Sequence, residues 1–201
     1  KAALDVGAAV LVAQGSEAGG HGERRATMTL VPEVADLLAV RAPEVLLCAA
    51  GGVADGRGLA AALSLGADGA VIGTRFWASE EALAAPGLKQ AALAATGDDT
   101  LRTRTVDVVR GRDWPERFDI RVIGNAFTDR WHGDLAGLKA EAGPIAEAWG
   151  KAAAAGDASL ANPIVGEATG LLHDLPPAAE ILERLIAETE AALARTAALR
   201  V

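Results

Sequence analysis

Three short apolar runs in the first half of the chain each stop at glycine, and this repeat limits the fold more than any other feature. Ala8–Ala13 stops before Gly15, Glu44–Ala50 before Gly51 and Gly52, and Asp68–Gly73 ends on its own glycine. Runs this short and apolar read as strands. The first, flanked by Gly7 and Gly15, reads as buried on both faces, as in a parallel sheet. Helical patterns separate them. Val34, Leu37 and Leu38 recur at helical spacing behind Pro32, which suits a first turn, and Leu59–Leu65 closes on Gly66 in the position of a helix C-cap. Ser79, Glu80 and Glu81 read as the cap of a further helix. A β-loop-α unit repeated three times, each roughly 30 residues or slightly less, predicts an α/β fold built on a parallel sheet.

In such sheets the loops beyond the C-terminal strand ends converge, and ligands sit there. The stretch Val12–Gly22, VAQGSEAGGHG, lies at that end of the first strand, which makes His21 a site candidate. Its four glycines permit close approach of backbone to a ligand; the plainer reading is a flexible surface loop with a solvated histidine. Gly51, Gly52, Gly73 and Thr74 follow the next two strands. Either pair alone reads equally as a tight turn, whereas two together after adjacent strands favour a phosphate site made of backbone N–H groups. Cys48, inside VLLCAA, reads as a small core residue and not as a nucleophile. His132 and His173 have no partner at a metal-ligand or triad spacing and read as surface or cap residues.

At 201 residues, 51% hydrophobic and 23% charged, the chain can bury a full core as one domain or one with an appendage. A net charge of -8, with no basic cluster longer than Arg24-Arg25, argues against a nucleic-acid partner. No apolar run is long enough to span a bilayer, and no signal peptide opens the chain at Lys1, so the expectation is a cytoplasmic protein without a membrane partner. A single cysteine excludes an internal disulfide framework. Lys1–Val6 reads as a helix end or connector. Leu88–Ala95 reads as a helix, 97–99 as a turn, and Thr103–Arg110 as an exposed or edge strand because it alternates. Trp114-Pro115 and Ile123–Trp131 read as irregular structure whose aromatics pack against the body of the protein in preference to forming a flap. Pro144–Ala155 reads as helix and 156–170 as loop. Pro176–Leu199 reads as a long helix started by Asp174, with Ile181, Leu182, Leu185 and Ile186 on one face.

QGSEAGGHG at 14–22, AAGGVADGRGLAAALSLGADGAVIGTRF at 49–76 and the Glu80 that follows resemble the nitronate monooxygenase family, formerly called 2-nitropropane dioxygenases. The resemblance is long and ungapped from Ala8 to Glu81 and general in character beyond. It implies an FMN-binding (β/α)8 TIM barrel, of which this chain resembles the C-terminal part: strands six to eight in residues 1–100, and a strand, loop and helical region packed on the barrel in 101–201. Five earlier βα units, on the order of 150 residues, would be missing. It further implies His21 as the catalytic residue, Gln14 and Gly20 beside the flavin, Gly51 and Gly52 as the phosphate loop after strand seven, Gly73 and Thr74 as that after strand eight, and no metal. An imidazole can take a proton from a nitroalkane or, once protonated, hold a nitronate. The implied reaction is FMN-dependent oxidation of alkyl nitronates or nitroalkanes by O2 to carbonyl compounds and nitrite. A second family, the FMN-dependent enoyl-acyl-carrier-protein reductases, is similar at the same loop, EGTEAGGHIG, and its TTM resembles Ala26-Thr27-Met28. Gln14 in place of that glutamate favours the monooxygenase. A third reading is a non-catalytic fragment or split half of such a barrel, which would associate with itself as a homo-oligomer or with the missing N-terminal half.

Overall fold

The structure is a computed structural model that describes residues 2–199; Lys1, and Arg200 and Val201 at the end of the second expected region, lie outside the described residues. The chain begins with α1 (Ala2–Asp5), β1 (Val10–Gln14), β2 (Gly20–Gly22), α2 (Thr27–Arg41) and β3 (Leu46–Ala50). It continues through α3 (Gly56–Ser64), β4 (Gly69–Val71), α4 (Thr74–Trp77), α5 (Pro86–Ala94), β5 (Thr100–Thr103) and α6 (Thr105–Val109). The remainder is β6 (Asp119–Ile123), α7 (Ala126–Trp131), α8 (Leu135–Ala140), α9 (Ala142–Ala155) and α10 (Ala178–Ala197). Among the described residues no helix is long and apolar enough to cross a membrane.

Two sheets organise the fold. The first is parallel, in the order β1-β3-β4, with Val10 opposite Leu46 and Ala50 opposite Val71. Alternation along each strand sends Ala13, Leu47 and Ala49 to one face. There they pack against Val31 and Leu38 of α2 and Ala62 of α3. On the other face Val10, Val12, Leu46 and Val71 are about half exposed, so the first strand is covered on one face and not on two. The second sheet is antiparallel, β2-β6-β5, and draws part of the expected glycine loop into a strand: His21 lies opposite Ile120.

Helix α2 starts five residues before Pro32, which therefore sits inside the helix. Ala26 offers no side-chain cap, and Glu17 serves instead, with both carboxylate oxygens 3.0 Å from the Thr27 amide and one 2.9 Å from the Thr27 hydroxyl. Pro32 has no N–H and so leaves the Met28 carbonyl without its helical donor, at a residue that is exposed to water. Of the expected cap, Ser79 is buried with its carbonyl accepting from the Lys89 ammonium at 2.6 Å, and α5 begins at Pro86, whereas Glu81 accepts from the Ala178 amide at 2.9 Å and so caps α10 and not the next helix. The expected strand Thr103–Arg110 is divided. Thr103 ends β5, its hydroxyl accepts the Thr105 amide at 3.2 Å, and Val106 and Val109 are buried three apart on α6. A Val-Asp-Val-Val run satisfies strand alternation and helical spacing alike.

Ile123–Trp131 is regular, not irregular: it ends β6 and forms α7, whose first amides are capped by the Asn125 side chain. Phe127 and Trp131 pack with Val106, Leu138 and Trp149, as expected of aromatics on the body of the protein. Along α10 the buried stripe is Ile181, Leu185, Thr189 and Ala192, while Leu182 and Ile186 are half exposed. This stripe lies on α3, and the contact is so close that a Cβ on Gly56 would stand 2.3 Å from the Thr189 amide nitrogen. Asp174 does not start α10, which Pro177 precedes; its carboxylate instead accepts from Arg75 at 3.0 Å and from Arg184.

Gly56→Ala would favour a helix by propensity alone. Here it is expected to destabilise by about 1–3 kcal/mol, because α3 and α10 must part. A urea midpoint at or above wild type would show that they part freely. The Arg184 hydrogen bond, with Arg75 adding to it against the opposing effect of burial, holds the Asp174 carboxyl below its ordinary range. A folded-state depression stabilises above the ordinary carboxylate pKa and is lost as pH falls through the depressed value. Asp174→Asn should therefore lower the melting temperature at neutral pH, and the gap to wild type should close as pH falls below about 4. A gap independent of pH would assign the loss to packing.

Candidate functional site

The loop between β1 and β2 is built on polar contacts from distant parts of the chain. The Gly15 amide donates to the Ala50 carbonyl at 2.8 Å, which ties the loop to the end of β3. The Ser16 carbonyl accepts from Arg102 Nε and Nη2 at 3.2 and 2.9 Å and from Arg121 Nε at 2.9 Å. Arg102 Nη1 also reaches the carbonyls of Gly22 and Asp119 at 3.1 and 2.8 Å, and Arg121 pairs with Glu167 at 2.8 Å. Burial, with the like charge of Arg121 behind it, pulls Arg102 below the usual guanidinium range; Asp119, Glu167 and Glu17 oppose this. Gln14 Nε2 donates to the His21 carbonyl at 2.5 Å and closes the loop on itself.

Gln14, Gly20, Gly51, Gly52, Gly73 and Thr74 line one cleft of about 270 Å3 at the C-terminal ends of the parallel strands. His21 borders a neighbouring hollow of about 370 Å3, which Gln14 also lines. The glycines divide by use. A Cβ on Gly19 would lie 2.5 Å from the Val165 carbonyl carbon, so that glycine permits chain to meet chain. A Cβ on Gly73 would meet nothing within 4 Å and would project into open space. Among the described residues the amides of Gly52, Gly73 and Thr74 have no protein acceptor. The Thr74 hydroxyl is already engaged, accepting from the Gly166 amide at 2.8 Å. The start of α3 is closed to a ligand, because Asp55 and Glu188 take its first amides.

His21 is held on two sides. Its Nε2 lies 2.8 Å from Asp107 Oδ1, and its ring stacks on Trp114 with centroids 3.8 Å apart and planes 14° from parallel. Phe118 meets the Trp114 ring edge-on at 5.8 Å. Trp114 therefore departs from the packing expectation: it is 39% exposed and covers the histidine. Asp107, Arg102 and Arg121 are polar residues that sequence reasoning missed. Their partners in the loop at 16–22 lie 80 to 105 residues away, so no local spacing announces them. His132 is the exposed C-cap of α7 and His173 is exposed; neither enters the cleft. Among the described residues no group of three His, Cys, Asp or Glu side chains could hold a metal ion.

An α/β body with a cleft at the carboxyl ends of parallel strands, walled by backbone and overlooked by a histidine, belongs to the class of small-ligand and cofactor sites. The chain matches the nitronate monooxygenase family over residues 1–188 and belongs to that family. A nitronate monooxygenase of Metarhizium robertsii is 40% identical over 185 residues, which cover 86% of this chain and 50% of that protein. Among solved structures, FabK from Thermotoga maritima is similar with a TM-score of 0.80 and 29% identity, over 97% of this chain and 58% of the other. A nitroalkane oxidase from Streptomyces ansochromogenes gives 0.78 and 28%, over 97% and 55%. The chain spans about half the length of the curated relatives it matches.

Arg102→Met removes donors from three carbonyls at once. It is expected to cost about 1–3 kcal/mol and to raise amide hydrogen exchange across 15–22 more than in the parallel strands. Uniform exchange would show that the guanidinium does not hold the loop.

Proposed function

We propose that this chain carries part of an FMN site that oxidises alkyl nitronates or nitroalkanes with O2 to carbonyl compounds and nitrite. One observation carries the reading: the cleft lined by Gln14, Gly20, Gly51, Gly52, Gly73 and Thr74 has free amides on one wall and His21 close by. The residues fit such a group, since Gly73 leaves open the volume that a side chain would fill and, among the described residues, no protein atom uses the amides beside it. The amides of Gly52, Gly73 and Thr74 would hold the phosphate, and Gln14 and Gly20 would border the remainder of the cofactor. The bound flavin supplies the redox chemistry. His21 takes the proton from the carbon bearing the nitro group or, when charged, pairs with the nitronate.

Under this reading the three parallel strands correspond to strands six to eight of a (β/α)8 barrel, with residues 101–201 as the region packed on it. The half-exposed Val10, Val12, Leu46 and Val71 then form the face that further barrel strands, or a second copy, would cover. A cytoplasmic setting accords with this chemistry and with a chain that has one cysteine.

The enoyl reductase reading loses ground on two residues. Thr27, which the reductases share, has a structural use as the Glu17-capped start of α2, so it does not discriminate between the families. Arg25 of the basic pair forms an exposed ion pair with Glu33 at 2.7 Å, which offsets part of the charge that would face an acidic carrier protein.

The test is made on the purified protein. An oxidised flavin absorbance and release of nitrite from an alkyl nitronate under air, without NAD(P)H-dependent reduction of an enoyl thioester, are the expected results. Enoyl reduction without nitrite would overturn the assignment, and absence of flavin would favour the non-catalytic reading. Gly73→Val keeps a backbone conformation open to any residue and should lower flavin occupancy with little change in melting temperature. Unchanged flavin content would remove Gly73 from the site.

A further inference from the structure

We propose that Asp107 is the positioning residue of His21: it holds the imidazole as the Nε2–H tautomer, leaving Nδ1 with the lone pair, while Trp114 fixes the ring plane. The consequence for catalysis rests on the reading of His21 as the group that handles the substrate proton; the tautomer does not.

Asp107 stands on α6 and is 3% exposed. Its Oδ1 lies 2.8 Å from His21 Nε2, and its Oδ2 is buried without a partner. An ionised carboxylate only accepts, so the nitrogen facing it must carry the hydrogen. A buried carboxylate deprived of that donor would face the desolvation cost of an unsatisfied charge. The carboxylate therefore selects the ring tautomer. Arg104, Arg112 and Lys139, together with Asp113, border a hollow of about 320 Å3 that Asp107 also lines.

Trp114 limits the ring in a second direction. With planes 14° apart and centroids at 3.8 Å, the imidazole cannot rotate about its Cβ–Cγ bond without leaving the stack. The Trp114 carbonyl accepts from Arg104 at 3.0 Å, which ties this segment back to the residue preceding α6. Among the described residues His21 Nδ1 has no protein hydrogen-bond partner, so the nitrogen with the lone pair is the one free to meet a ligand. In serine proteases the carboxylate holds the opposite nitrogen, Nδ1–H, and replacing it by its amide preserves the geometry yet lowers turnover by about 10⁴-fold through the wrong tautomer.

The test has two arms. Long-range ¹H–¹⁵N spectra of the neutral ring should show the hydrogen on Nε2 in the wild-type protein and its shift toward Nδ1 in Asp107→Asn. A wild-type ring protonated on Nδ1, or the same tautomer in both proteins, would overturn the proposal. The wild-type spectrum decides even if the variant does not fold. In the kinetic arm, Asp107→Asn should lower kcat for a neutral nitroalkane by about 10²- to 10⁴-fold with KM little changed, and should affect a pre-formed nitronate less. Wild-type kcat in the variant would overturn the positioning role. If the wild-type protein turns over neither compound, the functional reading fails while the spectra still decide the tautomer.

Discussion

The Ser16 carbonyl receives two guanidinium groups, and the shape of the glycine-rich loop depends on that contact. A segment with glycines at 15, 19, 20 and 22 would otherwise retain much of its backbone freedom, at a cost to folding of about 1–2 kcal/mol per fixed residue. Arg102 and Arg121 both come from the antiparallel sheet, so the loop is fixed to that sheet at the same time as its Gly15 amide is fixed to the parallel one. Two like charges so close are tolerable because carbonyl oxygens and Glu167 compensate them. Glu17, one residue on, then starts α2. A run of three residues, Gly15 to Glu17, thus sets the relative placement of the two sheets and a helix.

The parallel half was legible because its signals are local. Apolar runs of strand length ending in glycine became β1, β3 and β4, and Gly66 has the positive φ of +95° that a helix stop requires. The six residues expected at the cofactor line one cleft; Gly51, Gly52, Gly73 and Thr74 follow strands whose ends could be read, whereas Gln14 and Gly20 were marked only by the family resemblance. What failed is also local: Pro32 suggested a helix start because a cap supplied by Glu17 ten residues earlier leaves no mark near Thr27. The Val-rich run at 105–109 fits two periodicities, and burial of Val106 and Val109 against α9 and α8, invisible in the sequence, selects the helix. Asp107 and Trp114 were out of reach for the same reason. Their roles come from where β6 lays the chain against β2.

The motif that carries the family resemblance is accordingly of mixed meaning. Gly19 is a glycine because backbone meets backbone there, and Gly56 because a helix does. Gly73 faces open volume. A resemblance resting on all of them reports the fold more strongly than it reports the ligand.

Glu188 reaches from the last helix to the Gly56 amide at 2.9 Å, across 132 positions of sequence. The loop that carries Gly51 and Gly52 runs directly into that helix start, so its final geometry waits on a contact formed by the end of the chain. Pairing at such separation is slow to find and late to form. During synthesis the three parallel strands emerge well before α10 does, and for that interval the Gly56 amide lacks its Glu188 partner. The start of α3, and with it the Gly51-Gly52 loop, is fixed only once Glu188 has been translated and α10 has docked on α3.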